Sequence, residues 1–398
     1  MKKIKIGLVL AGITVWLVFG YATTKVGQTF CNYFSIWEPS ILPSESPILS
    51  TAESCGANTI QVALLLDTSG SMNGLLEQAK SQLWNILNEL TRTKMEDEET
   101  ELEIALYEYG TNRNRAPSNQ IRQLSTFTSD MDLISEKLFA LSTSGSNEYC
   151  GQVIQKSLKE LAWNKDKGLK VIYIAGNESF TQGMVSFKSA CAKAVSSDVT
   201  VNTIFCGDYD AGISMHWEEG AKAGNGVYLN IDHNQETAYI ATPYDDQINN
   251  LNRKLNKTYI PYGKEGASKS QNQMSQDVNS SLYSSSNLAD RAVFKSSKKY
   301  KNTNWDLVDA YAKDKNVIQD VEVSVDSLQD ISIEDLEATI NAISAERSQI
   351  QNEIQELDKK RRVYKTENTK LTSDKSLQHK MINSIKEQAK KKGYSIKE

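Results

Sequence analysis

Histidine is nearly absent from this chain. Three residues, His216, His233 and His379, in 398 positions leave few candidates for proton shuttling or for zinc ligation. With six prolines and 21 glycines the chain is neither collagen-like nor a proline-rich low-complexity polymer. It also lacks an excess of positive charge. The 45 Lys and Arg are outweighed by 50 Asp and Glu, for a net charge of -5, so no basic field is available to neutralise a phosphate backbone, and no nucleic-acid partner is expected. The sequence has no G-x-S-x-G elbow, no G-x-x-x-x-G-K phosphate loop, no H-E-x-x-H and no C-x-x-C, which removes the common hydrolase, nucleotide-binding, metalloprotease and redox signatures. Because catalytic triads are defined by geometry and not by chain order, His216 in Ser214-Met215-His216-Trp217 still has to be considered. It reads as the hydrogen-bonded start of a helix, and an enzyme is not expected.

What is present begins at the N-terminus. Lys2, Lys3 and Lys5 precede an uncharged run from Ile6 to Thr24, the charged start and apolar middle of an export signal. Gly20 and Ala22 are small residues at a spacing that suits cleavage, yet the run is longer than a usual signal core. Residues 1–24 are therefore a signal peptide or a retained membrane anchor, and the expected location is periplasmic or secreted, with the membrane touched only through this segment. A lipoprotein is excluded because Gln28, Thr29 and bulky Phe30 precede Cys31. Residues 25–58, with Pro39, Pro43 and Pro47 among serines, read as an extended linker.

From Thr59 onward, unbroken apolar runs alternate with amphipathic segments: IQVALLLD, LLEQAKSQLWNILNEL, LEIALYEYG, LISEKLFAL, VIQKSLKELAW, LKVIYIAG, MVSFKSACAKAV, VTVNTIFCG, WEEGAKAG and GVYLNID. Strands buried on both faces, each followed by a helix, predict an α/β fold with a doubly wound, mostly parallel sheet. Residues 244–257 close it with Ile248, Leu251 and Leu255 on one side, so the α/β domain is expected to cover 59–260. Residues 261–331 are polar, with scattered apolar positions (Leu282, Tyr283, Leu288, Ala292, Val293, Phe294) that predict one weak helix packed against the first domain. Asn304–Asp314 reads as an anchoring helix.

Residues 332–398 are helical and charged. Ser332 before Glu334 and Asp335 is a capped start, and Leu336, Ile340, Ile343, Ile350, Ile354 and Leu357 form an apolar stripe bordered by Arg347, Arg361 and Arg362. Leu377, Met381, Ile385 and Ala389 supply a second stripe. A helical hairpin or coiled coil is expected, spacing the domain or mediating self-association. The KKRR run at 359–362 and the KKK run at 390–392 read as solvated faces. Five cysteines leave at least one unpaired. Cys150 with Cys206 is the preferred disulfide, Cys191 with Cys206 the rival, and Cys31 with Cys55 can close the linker.

Asp67-Thr68-Ser69-Gly70-Ser71-Met72 follows the first apolar strand. The loop falls at the carboxyl end of a sheet strand, where open α/β sheets bind ligands. One carboxylate and two hydroxyls at alternate positions suit a hard cation, Mg²⁺ or Ca²⁺, with coordination positions left for a partner's carboxylate. Over residues 59–258 the chain resembles the von Willebrand factor type A (vWA) domain, whose metal-ion-dependent adhesion site uses Asp-x-Ser-x-Ser in this loop. It is similar in particular to exported bacterial proteins that carry one such domain and a helical C-terminal extension.

That resemblance implies a second loop bearing a Thr, and Glu148 of Ser144-Gly145-Ser146-Asn147-Glu148 stands in its place. It implies a third loop bearing an Asp, and Gly176 of Ile174-Ala175-Gly176-Asn177-Glu178 stands there. The expected metal ligands are Asp67, Ser69, Ser71 and Glu148, with Glu178 behind them, and the expected partner is a protein presenting an acidic side chain. The competing reading is a degenerate site kept as a hydrogen-bonded loop cluster in a scaffold protein that works through its C-terminal helices. Asp208 and Asp210 read as turn formers. The acidic run Glu96, Asp97, Glu98, Glu99, Glu101 and Glu103 belongs to the opposite, solvated edge.

Overall fold

All nine residues of Thr59–Asp67 are buried, as are all nine of Gly168–Gly176. Strands apolar on both faces have to be covered on both, and this dictates a three-layer arrangement. The computed structural model describes residues 59–77, 79–80, 84, 101–112, 120–165, 168–231, 241–319, 331–369 and 377–394. The expected export segment and linker, the proposed Cys31–Cys55 pair and Glu96–Glu99 lie outside the described residues.

Six strands form one sheet: β1 (Thr59–Asp67), β2 (Glu101–Tyr109), β3 (Ile121–Thr128), β4 (Gly168–Gly176), β5 (Thr200–Cys206) and β6 (Asn225–Ile231). Their order is β3-β2-β1-β4-β5-β6. The β1, β2, β4, β5 and β6 pairings are parallel, and β3 runs antiparallel to β2. The sheet is the expected doubly wound, mostly parallel one, with an edge strand that the apolar runs did not reveal. In β3, IRQLSTFT, only Ile121 is fully buried, so the strand has neither a long apolar run nor a clean alternation. Strand order reverses between β1 and β4, which opens a crevice above those two strands.

On one face of the sheet, Ala63, Leu65, Ile172 and Ile174 pack with α2 (Cys150–Glu160), α3 (Phe187–Ser196) and α5 (Trp217–Ala223). On the other, Val62, Leu64 and Leu66 pack with α1 (Met131–Phe139), α6 (Asp245–Asn256) and the helices that follow. The short α4 (Tyr209–Ser214) precedes α5. Two cysteine expectations fail on this layering. Cys206 packs on the α6 side of the sheet, whereas Cys150 and Cys191 pack on the α2 side. The sheet separates Cys206 from both proposed partners, and all three cysteines are free and buried.

The polar segment after the domain is more ordered than one weak helix. It forms α7 (Gly263–Tyr283) and α8 (Ser285–Lys295), and α7 turns Gln273, Gln276, Asp277 and Ser280 inward. Gln273, Gln276 and Asp277 meet polar partners there, as buried polar groups ordinarily do. Fully buried Arg291 donates to Asp132 of α1 and to Asp277 of α7, each at 2.6 Å. Asp277 also accepts from Lys295 at 2.9 Å and from Asn252 at 2.8 Å. Burial raises the Asp277 pKa, but Lys295 and Arg291 overcome it and hold the carboxyl well below its usual range. Helix α9 (Leu307–Lys313) is the expected anchor, with Trp305, Leu307, Val308 and Tyr311 buried.

The C-terminal helices α10 (Ile333–Thr369) and α11 (Leu377–Lys391) pack onto the α/β domain instead of projecting from it. Ser332 caps α10, accepting the Asp335 amide at 3.1 Å. Ile350 and Ile354 of α10, with Ile385 and Ala389 of α11, join the sheet core. Arg347 reaches Asp306 at 2.6 Å and Asp309 at 2.8 Å. Arg361 lies inside the interface, 1 % exposed, donating to Asp245 at 2.6 Å and to Asp290. The expected solvated KKRR face is thus corrected at Arg361. One register of the run turns inward, where two carboxylates compensate its desolvation. Gln388 of α11 donates to Asn202 of β5 at 2.8 Å, and Lys392 just beyond pairs with Asp198 at 2.8 Å. Among the described residues, no helix is long and apolar enough to cross a membrane.

Candidate functional site

Strand β1 delivers Asp67, 0 % exposed, to the crevice between β1 and β4, opposite Tyr109 in the β2 register. The following loop is pinned by backbone pairing. The Thr68 amide donates to the Tyr109 carbonyl at 2.9 Å, the Ser144 amide to the Thr68 carbonyl at 2.7 Å, and the Gly70 amide to the Gly145 carbonyl at 3.0 Å. The β1 loop and the 144–148 loop are thereby locked together. Gly145 is required at that junction: its φ is +121°, and a Cβ there would stand 1.9 Å from the Gly110 carbonyl oxygen.

Four of the five expected ligand residues converge around Ser69. Asp67 Oδ1 accepts the Ser69 amide at 2.7 Å, and Ser69 Oγ lies 2.9 Å from Ser71 Oγ. The Ser69 side chain also stands beside the Asp67 and Glu148 carboxylates and favours their ionised forms. Glu148 is 3 % exposed, and its amide donates to Gln182 Oε1 at 3.4 Å. The fifth residue, Glu178, is half-buried and close enough for its charge to raise the Glu148 pKa. Its carbonyl accepts Trp217 Nε1 at 2.7 Å.

Burial, and then the charge of Glu148, push the Asp67 pKa up to about 7 against the pull of the Ser69 amide. Burial likewise raises Glu148. Asp67 Oδ2 is buried without a hydrogen-bond partner among the described residues. An unpartnered carboxylate oxygen beside two hydroxyls and a second carboxylate is a hard, all-oxygen donor set, and these residues fit a divalent cation. Among the described residues no group of three or more His, Cys, Asp or Glu is placed to hold a metal. A cation here would rest on two carboxylates and two hydroxyls.

Two residues of the site were not singled out from sequence. Asn177 accepts from Ser71 Oγ at 2.9 Å through Oδ1 and donates to the Ser71 carbonyl at 3.0 Å through Nδ2. Tyr109 fills the space beside Gly176. Its hydroxyl donates to the Ala175 carbonyl at 2.9 Å and accepts from Cys150 Sγ at 3.8 Å. A Cβ at Gly176 would lie 2.5 Å from that hydroxyl and 3.1 Å from Asp67 Cβ. The signal for Tyr109 was present in sequence, since it ends a strand beside β1; Asn177 left no pattern. His216 makes none of these site hydrogen bonds. It holds φ +68° before α5 and pairs with Glu219 at 2.8 Å. Asp208 caps α4, accepting the Ala211 amide at 2.8 Å.

The strand order and the antiparallel edge strand give the sheet and its flanking helices a vWA/Rossmann-like α/β fold, with the Asp-x-Ser-x-Ser loop at the β1–β4 crevice. No family model and no curated protein sequence matches the chain. Among solved structures it is similar to the conserved hypothetical protein BatB from Bacteroides thetaiotaomicron, with TM-score 0.33 and 18% identity over 44% of this chain and 90% of that one. It is similar to the SpRpn10 VWA domain, with TM-score 0.32 and 18% identity over 44% and 89% of the two chains. A third similar structure is proximal thread matrix protein 1 from the mussel byssus with a zinc-occupied MIDAS motif, with TM-score 0.32 and 14% identity over 45% and 43%.

Proposed function

We propose that this protein is a vWA-type binding module, exported or membrane-tethered through residues 1–24, that engages an acidic side chain of a protein partner at the rim of its sheet. Asp67, Ser69, Ser71 and Glu148 would hold Mg²⁺ or Ca²⁺, with Glu178 behind them. Bound there, the cation supplies coordination positions that a partner's carboxylate can fill. The observation that carries this reading is the orphaned Asp67 Oδ2. A buried acceptor without a partner costs about 1–3 kcal/mol, and a cation in the same cluster removes that cost.

The chain's own residues prepare the site. Backbone pairing of the two loops fixes Ser69 and Ser71, the Ser69 amide orients Asp67, and Gln182 orients the Glu148 backbone. Isothermal titration calorimetry of the wild type and Asp67→Ala with Mg²⁺ and with Ca²⁺ tests the reading. Binding heat in the wild type that vanishes in the variant supports it, and a wild type with no heat above dilution overturns it.

The degenerate-site reading has one observation in its favour. Ser71 Oγ is already engaged by Ser69 and Asn177, so part of the donor set is satisfied within the protein. Of its proposed working surface, the stripe of the C-terminal helices, Ile350, Ile354, Ile385 and Ala389 are spent on the sheet core and Leu336 and Ile340 on a cluster with Leu307 and Tyr311. Partner capture that is insensitive to EDTA would favour the degenerate site.

A further inference from the structure

Strand β4 closes on Gly176, which has no side chain to offer, so Asn177 is the first side chain of its loop to reach the β1 loop. Its amide grips Ser71 twice. Oδ1 accepts the Ser71 hydroxyl at 2.9 Å, and Nδ2 donates to the Ser71 carbonyl at 3.0 Å. The second bond fixes the direction of the first. A carbonyl oxygen only accepts, so Nδ2 has to face it, and the reversed amide would set two carbonyl oxygens against each other. Asn177 Oδ1 therefore faces Ser71 Oγ. An amide oxygen carries no hydrogen, so the bond between them uses the hydrogen of Ser71.

That direction matters for a ligand. A hydroxyl has one hydrogen and two acceptor lone pairs, and its oxygen binds a cation through a lone pair. Ser71 Oγ also lies 2.9 Å from Ser69 Oγ. With its hydrogen committed to Asn177, Ser71 can only accept from Ser69, so at least one lone pair stays open. Ser69 has other acceptors for its own hydrogen in the neighbouring Asp67 and Glu148 carboxylates, and donation there frees both lone pairs of Ser71. The Asn177 main-chain amide also stands close enough to Asp67 to favour the ionised carboxylate.

We propose, on the cation-binding reading given above, that Asn177 is a positioning residue of the site: it takes the Ser71 hydrogen and so leaves the Ser71 oxygen to the cation. Its bond to Ser71 prepares a ligand and does not use one up. As a neutral acceptor, it does this without adding another carboxylate beside Asp67, Glu148 and Glu178.

Calorimetric titration of the full chain with Mg²⁺ and with Ca²⁺ tests this. Asn177→Ala should weaken cation binding about 10–100-fold, the usual cost of losing a group that orients a metal ligand. Asn177→Asp should bind more tightly than Asn177→Ala, because a carboxylate accepts the same hydrogen although it cannot donate to the Ser71 carbonyl. In a Ser71→Ala chain, where there is no hydrogen to accept, the same step from Ala to Asp at position 177 should gain less. Wild-type affinity in Asn177→Ala overturns the role. So does Asn177→Asp binding no more tightly than Asn177→Ala, since the bridge to the Ser71 carbonyl would then be the contact that counts. An equal gain in the Ser71→Ala chain overturns it as well, because added charge alone would be acting. A wild type with no heat above dilution is the separate failure of the cation site itself, and the role of Asn177 falls with it.

Discussion

The hydroxyl of Tyr109 stands 2.5 Å from where a β-carbon on Gly176 would lie. The space beside Gly176 is therefore filled from the neighbouring strand, while the 144–148 loop brings the Glu148 carboxylate beside Ser69. Gly176→Asp should fail to add a ligand and should instead destabilise the fold by about 1–3 kcal/mol through overpacking. Urea unfolding measures the loss, and calorimetry shows whether cation affinity has changed.

Asp67 makes stability depend on pH in a stated direction. Its folded pKa of about 7 lies above the ordinary carboxyl value of 3.8, so the native state holds a proton that the unfolded chain releases. In EDTA the contribution is complete below about pH 4 and is lost as pH rises through 7. The loss amounts to no more than about 4 kcal/mol, at about 1.4 kcal/mol per pH unit. Mg²⁺ or Ca²⁺ above pH 7 should return stability, and Asp67→Asn should flatten the profile. A melting temperature that does not vary between pH 4 and 8 in EDTA would contradict the burial assigned to this carboxyl.

Arg361→Met separates a buried ion cluster from a solvated charge run. Asp245 and Asp290 lose their guanidinium in the variant, and breaking a buried pair costs about 3–5 kcal/mol. An exposed arginine would cost within about 0.5 kcal/mol. Equilibrium urea unfolding distinguishes the two.

The cysteines give a covalent test of the layering. Iodoacetamide should leave Cys150, Cys191 and Cys206 unmodified in the native protein and alkylate all three after denaturation without reductant. Burial raises the thiol pKa of each, Cys191 to about 12. A peptide mass linking Cys150 to Cys206 would refute the separation by the sheet.

The parallel strands and the Asp67 loop were legible in sequence because burial on both faces leaves unbroken apolar runs, and because Asp67, Ser69 and Ser71 lie within five positions of each other. Strand β3 was not, since an edge strand can stay half-polar. Helices α7 and α8 were misjudged for a related reason. Their buried faces are polar, and Asp277 looks like a surface residue until Arg291 and Lys295 are seen against it. The disulfide proposal placed Cys150 and Cys206 at the correct edge of the sheet, but sequence did not reveal which side each thiol would take. Glu148 could be placed by its loop, whereas Asn177 acts through a contact between loops distant in sequence.

The pairing of Lys392 with Asp198 brings the last described helix down to the starting edge of β5, the same edge at which the chain enters β1 at Thr59. Nine residues of strand, about 30 Å, separate that edge from Asp67. Both ends of the folded body thus leave from the pole opposite the crevice. A label attached at Thr59 or at Lys392 would stand at the pole away from the crevice.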